Sequence, residues 1–114
     1  MKKYWQINGS SIKFIQNNGY LKFSFYGAID RLIMHKLEPK ILDLAEKSEN
    51  IEFDLSDGVF FDNSIIKIIK NIRSKYMFKD ICLVNPFNSL VELLNQTKLG
   101  KFVKVKYKEQ AKIV

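Results

Sequence analysis

Few residues of this 114-residue chain could perform chemistry. Two aspartates, Asp54 and Asp62, lie close together in sequence and could act as a carboxylate pair. Ser64 follows the second of them, and the chain has one histidine, His35, and one cysteine, Cys82. Acid–base catalysis, metal binding, nucleophilic catalysis and serine phosphorylation are the chemistries open to such residues.

Catalysis finds little support among these residues. A metal site built on several His and Cys ligands is excluded, because the chain has one of each. A Ser–His–Asp triad would need His35, but Ser64 lacks the Gly-x-Ser-x-Gly context of a nucleophile, and Cys82 lies in an apolar run typical of a small buried side chain. The five glycines are scattered and form no phosphate-binding loop. We therefore expect no enzymatic activity, no catalytic residue, no metal and no cofactor.

The polar cluster Asp62, Asn63 and Ser64 precedes an isoleucine-rich segment, which is predicted to be a helix from Ile65 to about Lys75. Short polar side chains cap helix N-termini because they accept hydrogen bonds from the N–H groups of the first turn. Those N–H groups and the helix dipole also stabilise a phosphate carried by a hydroxyl at this position. Ser64 is therefore predicted to be a helix cap, a phosphorylation site, or both.

The composition predicts a single domain over residues 1–114 that buries a core, since 46% of the residues are hydrophobic. No apolar run reaches the ~20 residues that cross a membrane, and the N-terminus lacks the apolar region of a secretory signal. One cysteine excludes a disulfide framework, so we expect a cytoplasmic protein. The formal charge of +7 is concentrated near the two ends. We interpret it as a solvated face, the alternative being attraction to nucleic acid, anionic lipid or an acidic protein.

Strands and helices are predicted to alternate along the chain. The predicted strands cover residues 3–7, 11–16, 20–26, 51–55, 81–84 and 102–107, and the predicted helices cover residues 33–47, 64–76 and 89–97. Asn17-Asn18-Gly19 indicates a tight hairpin, and Ser89 with Glu92 fits a capping box. Pro39 requires that the first helix either begins near Lys36 or is kinked.

This order of elements predicts an α/β fold. We expect a mixed, mostly parallel sheet of about five strands, with an antiparallel N-terminal hairpin. The strands alternate apolar and polar residues, so about three helices should lie mainly on one face of the sheet, and the other face should be wet.

Three parts of the chain resemble the STAS domain family, which is named for sulfate transporters and anti-sigma factor antagonists. The segments that carry the resemblance are GAID at 27–30, FDLS at 53–56 with DNS at 62–64, and LVN at 83–85 with Leu94 and LG at 99–100. The first is similar to the family's Gly-x-Leu-Asp, the second to its strand followed by Asp-Ser-Ser-Gly, and the third to its closing strand–helix–strand. The resemblance covers about residues 5–110.

The resemblance implies a non-catalytic regulator that binds proteins. In stand-alone bacterial members, a serine kinase that is also an anti-sigma factor phosphorylates the second serine of Asp-Ser-Ser-Gly, and a phosphatase reverses this. Only the unmodified form holds its partner. Carried over, the phosphoacceptor is Ser64, and the partner-binding residues are Asp30, Asp62, Asn63, Ser64 and Ile65. The expected partners are proteins, without nucleic acid and without direct insertion into a membrane.

The chain departs from the family motif at two positions. Asn63 replaces the first serine, and Ile65 replaces the glycine that leaves the phosphoacceptor open to a partner's backbone. A β-branched side chain there is expected to narrow access, so the roles of Ser64 as phosphoacceptor and as cap both stay open, and Ile65 is a candidate apolar contact to a different partner. The alternative function is a cytoplasmic STAS subunit of a membrane lipid-transport complex, which the basic C-terminal segment and Ile65 favour.

Overall fold

Three opening strands are followed by alternating helices and strands in the computed structural model, which describes residues 2–7 and 9–109. The elements are β1 (Lys2–Ile7), β2 (Ser10–Asn17), β3 (Tyr20–Ile29), α1 (Arg31–Glu46), β4 (Asn50–Asp54), β5 (Gly58–Phe60), α2 (Ile65–Lys75), β6 (Asp80–Val84), α3 (Asn88–Asn95), a 3₁₀ turn (Lys98–Lys101) and β7 (Val103–Lys106).

The strands form one mixed sheet in the order β1-β2-β3-β4-β6-β7, and β5 also pairs with β3. The first three strands are antiparallel, and the remaining pairs are parallel. Asn18 and Gly19 have positive φ angles of 49° and 81°, as the predicted hairpin turn requires. The predicted fold class is confirmed, with seven strands in the described residues where about five were expected.

Strand β5 is the element that the sequence pattern did not reveal. Strand β3 is ten residues long, so that Tyr20–Ser24 pair with β4 and the last three residues, Gly27–Ile29, pair with β5. Three residues are too few to show an alternating pattern. The pairing continues past β5, because the Phe61 N–H donates to the Ile29 carbonyl over 3.2 Å. It thereby brings the residues before α2 next to those before α1.

The core lies between one face of the sheet and the helices. Helix α1 contributes Leu37, Ile41 and Ala45, and α2 contributes a stripe of buried isoleucines that meets a row of stacked phenylalanines. The opposite face is polar: Lys22, Glu52, Cys82 and Lys104 occupy paired positions on β3, β4, β6 and β7. This arrangement agrees with the prediction of helices mainly on one face.

Helix α1 begins earlier than predicted. Asp30 is its N-cap, and its Oδ1 accepts a hydrogen bond from the Ile33 N–H at 2.9 Å. The helix therefore starts at Arg31, and the interpretation that it starts near Lys36 is wrong. Pro39 lies inside the helix on the exposed side. We infer that burial of the opposite stripe offsets the one backbone hydrogen bond that proline cannot donate.

The predicted capping box of α3 is also wrong. The helix starts at Asn88, and its N-cap residue is Phe87, which makes no side-chain capping bond. Ser89 lies within the first turn and donates its hydroxyl proton to Asn63 instead. Asn85 has a positive φ of 52°, so the chain turns there, shortly before the helix starts. The last strand is also shorter than predicted, since a 3₁₀ turn precedes it.

Candidate functional site

Two helix N-termini meet at the carboxyl edge of the sheet. Helix α1 starts directly after β3, with Asp30 as its cap, and α2 starts a few residues after β5. Because β3 and β5 are parallel neighbours, their carboxyl ends deliver both helices to the same corner. The predicted residues Asp30, Asp62, Asn63 and Ser64 all lie in this corner, which we call the Ser64 corner.

Asp62 joins the two helices. Its Oδ2 accepts a hydrogen bond from the Arg31 N–H at 3.1 Å, and its Oδ1 accepts one from the Ser64 N–H at 2.9 Å. Arg31 is the first residue of α1, and Ser64 is the N-cap residue of α2. A single carboxylate thus accepts hydrogen bonds from the start of both helices, where the dipoles favour negative charge.

The carboxylate of Asp62 is held in its ionised form. Partial burial on its own would raise its pKa. The hydroxyl and the N–H of Ser64, together with the N–H of Arg31, outweigh this effect, and the pKa falls below the ordinary value of 3.8. These donors stabilise the charged form more than the neutral one. The corner therefore carries a fixed negative charge at neutral pH.

Ser64 itself does not act as the predicted side-chain cap. Its backbone is helical, with φ −61° and ψ −25°, and its side chain makes no capping hydrogen bond to the first turn of α2. Asp62 takes that place by accepting the Ser64 N–H. The Ser64 side chain is half-buried, so its hydroxyl lies at the start of a helix without being used to cap it.

Asn63 links the corner to the third helix. Its Oδ1 accepts a hydrogen bond from the Ser89 hydroxyl at 3.3 Å, and its carbonyl oxygen accepts the Ile66 N–H at 3.0 Å. The replacement of the family's first serine by asparagine thus supplies a side chain that bridges α2 and α3. Sequence reasoning did not identify Ser89 as part of this corner, because the two residues are distant along the chain.

Ile65 points away from the corner and into the core. Its side chain is fully buried. A buried side chain offers no surface to a partner, so the expected apolar contact of Ile65 with a partner is not available in this structure. We had expected the β-branched side chain of Ile65 to narrow access to Ser64. Because the side chain is buried, it does not do so.

An apolar cleft borders Ser64 between α1 and α2. It has a volume of about 310 Å³ and is lined by Arg31, Leu32, Met34, His35, Glu38, Ser64, Lys67 and Ile68. Leu32, which lines the cleft, is 67% exposed, and Phe61, which precedes Asp62 in the chain, is 69% exposed. Exposed apolar side chains beside a cleft are typical of a protein-binding surface.

Sequence reasoning missed Leu32 and Phe61, although each left a signal. Leu32 falls outside the buried stripe of α1, which contains Ile33, Met34, Leu37 and Ile41. Phe61 directly precedes the polar cluster, where a solvated residue would be expected. In both cases an apolar residue occupies a position that the core does not need.

The other candidate chemistries do not assemble. Asp54 accepts hydrogen bonds from the N–H and hydroxyl of Ser56, at 3.0 and 2.6 Å, and so stabilises a turn rather than pairing with Asp62. His35 lines the cleft beside α1, whereas Cys82 lies on the polar face of the sheet. Within the described ranges, no three His, Cys, Asp or Glu side chains are grouped as metal ligands would be. No helix of the described chain is long and apolar enough to cross a membrane.

Solved structures share this fold. The chain is 13% identical to the phosphorylated form of SpoIIAA, a Bacillus cell-fate determinant, with a TM-score of 0.67 over 82% of this chain and 89% of that one. The unphosphorylated form of the anti-sigma factor antagonist SpoIIAA is 10% identical, with a TM-score of 0.66 over 88% of this chain and 89% of that one. An anti-sigma factor antagonist from Mycobacterium paratuberculosis is 18% identical, with a TM-score of 0.66 over 85% of each chain.

At these identities, the structural neighbours establish the fold. A comparison with curated proteins finds no match. The sequence profile of the STAS domain, by contrast, matches residues 11–111, which include every residue of the Ser64 corner. The chain therefore belongs to the STAS domain family.

Proposed function

We propose that this chain is a non-catalytic regulator that binds a protein partner through the Ser64 corner, and that phosphorylation of Ser64 makes it release that partner. The observation that carries the proposal is the hydroxyl of Ser64. It lies at the start of α2, is not used for capping, and borders the apolar cleft with exposed Leu32. The partners would be a serine kinase that serves as anti-sigma factor, or another regulator, and a phosphatase, all in the cytoplasm.

A phosphate on Ser64 would change this surface in two ways. It adds roughly −1.5 to −2 charges at neutral pH, close to the ionised carboxylate of Asp62, which contacts Ser64 directly. The two negative groups would repel each other, and a partner that covers the apolar cleft would have to bury the new charge. Arg31 and Lys67 line the same cleft. Their positive charges would partly offset the negative charge of the phosphate and so permit the modified state.

The fold comparisons support this proposal by analogy. The phosphorylated and unphosphorylated forms of SpoIIAA share the fold of this chain. The structure adds that Ile65 is buried, so the departure from the family glycine leaves the surface around Ser64 open. This supports the phosphoacceptor role of Ser64 over a role in capping alone.

The experiment compares partner capture by the wild type, Ser64→Ala and Ser64→Asp from a lysate of the native host, together with intact-mass analysis of the native protein. We expect Ser64→Ala to retain the partner and Ser64→Asp to lose it, because the aspartate places a second carboxylate beside Asp62. The matched control is Ser74→Asp, which adds the same charge at an exposed position of α2 away from the corner. Unchanged capture by Ser64→Asp, with no phosphorylated form in the native protein, would refute the proposal.

The alternative function, a cytoplasmic STAS subunit of a membrane lipid-transport complex, remains a prediction. The observation that favours it is the row of exposed lysines at the end of the described chain, which includes Lys101, Lys104, Lys106 and Lys108. Co-purification with a membrane ATPase would support this function, and recovery with soluble kinases alone would oppose it.

A further inference from the structure

A second apolar surface lies at the edge of the sheet opposite the Ser64 corner. Strands β4, β6 and β7 are parallel, so the segments that precede them share the amino edge of the sheet. The loop before β6 carries Met77 and Phe78, and Phe102 directly precedes β7. The pairing of Ile81 with Val103 brings these two segments together. We call Met77, Phe78 and Phe102 the apolar tip.

The apolar tip is unusually exposed. Phe78 is 94% exposed, Met77 is 59% exposed, and Phe102 is about half exposed. Single exposed apolar residues are common on protein surfaces, but here three from two segments line one cleft of about 270 Å³. A cluster of this kind marks a binding surface.

Positive charge surrounds the apolar tip. The charged residues that line its cleft are Arg73, Lys79, Lys101 and Lys104, with Asp80 as the acidic member. Lys101 and Lys104 are exposed, whereas Lys79 is held by the carbonyl oxygens of Glu46 and Ser48 at 2.8 and 2.6 Å. The surface therefore combines exposed apolar side chains with two exposed lysines, Lys101 and Lys104.

Arg73 holds the two segments of the tip together. Its guanidinium lies 3.9 Å from the centre of the Phe102 ring, and its Nη1 donates a hydrogen bond to the carbonyl oxygen of Met77. The contacts with Phe102 and Met77 restrict the position of the guanidinium, and Arg73 is less exposed than Lys101 and Lys104. The exposed cations of the tip are therefore lysines, which act as point charges.

We propose that the apolar tip binds the surface of a membrane that contains anionic lipids. Diffuse negative charge suits exposed lysines, and the exposed side chains of Phe78 and Met77 are available for burial among lipid headgroups. A second copy of this chain fits poorly, because the cations of the two copies would face each other. Only side chains of the tip enter the headgroup region, so this attachment differs from direct insertion into a membrane, which the sequence analysis does not predict.

This attachment does not depend on the proposed switch. The tip and the Ser64 corner lie at opposite edges of the sheet, so a domain bound to a membrane through the tip would leave Ser64 open to a protein partner. The chain could then report the phosphorylation state of Ser64 at a membrane surface.

The first test is co-sedimentation of the whole chain with vesicles of phosphatidylcholine alone, or with about one-third phosphatidylglycerol, at low and high salt. We expect binding only to the anionic vesicles, lost at high salt. Phe78→Ser, and separately Lys101→Glu with Lys104→Glu, should each weaken binding by about tenfold or more. The matched controls are Tyr4→Ser, an exposed aromatic residue on β1 at the far end of the sheet from β7, and Lys3→Glu with Lys36→Glu, which changes the net charge equally.

The second test locates the contact. Phe78→Trp places a reporter at the tip, and brominated lipids in anionic vesicles should quench its fluorescence. Trp5 serves as an internal control in the wild type, since it is partly buried against Phe14, 4.6 Å between ring centres, on the strand farthest from β7, and should not be quenched. Absence of binding to anionic vesicles at low salt would overturn the proposal, and so would equal losses in the control variants. Tighter binding to a DNA duplex, or dimerisation abolished by Phe78→Ser, would assign the tip to a different occupant and also overturn it.

Discussion

Replacement of Asp62 by alanine tests whether one carboxylate stabilises two helices. The change removes the acceptor for the Arg31 and Ser64 N–H groups, which start α1 and α2. Loss of a helix cap costs typically ~1 kcal/mol. Water can replace part of each bond because Asp62 is exposed, so we expect a loss of about 1–2 kcal/mol in the free energy of unfolding. For a domain of this size, the melting temperature should fall by about 4–8 °C.

The effect should depend on pH in a defined direction. The pKa of Asp62 in the folded chain is lowered from 3.8, so its carboxylate stabilises the fold at every pH above that value and loses this effect as the pH falls through the folded pKa. The difference between the wild type and Asp62→Ala should therefore be full at pH 7 and shrink below about pH 3.8.

The assay is urea-induced unfolding at pH 7 and at pH 3, followed by circular dichroism. The control is Asp43→Ala, which removes the same charge from an exposed position of α1 and should leave the stability unchanged or slightly higher, since alanine favours the helix. Equal stability of Asp62→Ala and the wild type at pH 7 would refute the bridging role. A difference that is as large at pH 3 as at pH 7 would show that the ionised carboxylate is not the cause.

Two further predictions concern Ile65 and Cys82. Ile65→Gly, which restores the family residue, should lower the free energy of unfolding by about 3 kcal/mol or more, since it empties a fully buried position. Ile65→Val should cost only ~1 kcal/mol. A loss below about 1 kcal/mol for the glycine variant in urea unfolding would contradict the place of Ile65 in the core. Burial raises the pKa of the Cys82 thiol, and the effect of burial outweighs the opposing effect of Lys106. A thiol reagent at pH 8 should therefore modify Cys82 more slowly in the native chain than in the chain unfolded in urea. Equal rates of modification would refute this prediction.

The local patterns of the chain were sufficient for its main elements. The isoleucines of α2 recur on one face at helical spacing, and the helix in the structure, Ile65–Lys75, begins and ends within one residue of the predicted bounds. Asn18 and Gly19 form the predicted hairpin because few other residues adopt positive φ angles easily. Alternation within the strands also predicted which face of the sheet the helices cover, since a strand's periodicity records which side is buried.

Elements that depend on distant partners escaped this reasoning. Strand β5 forms because the end of β3 offers it unpaired backbone groups, and Ser89 bonds with Asn63 rather than capping α3. Neither contact leaves a trace in local sequence, because both partners are far away along the chain. The same holds for the apolar tip, whose two segments become neighbours only through the pairing of β6 with β7.

The sequence by itself determined the family, the mixed sheet, and the polar cluster at Asp62, Asn63 and Ser64, because periodicity and motif spacing are local properties. Only the tertiary structure decided what each residue of that cluster does. Because the backbone of Ser64 is helical, Asp62 takes the capping role in its place. The first turn of α2 directs the side chain of Ile65 into the core. The physical reason is that the orientation of a side chain depends on how its helix packs against the sheet, and that packing is set by residues throughout the chain.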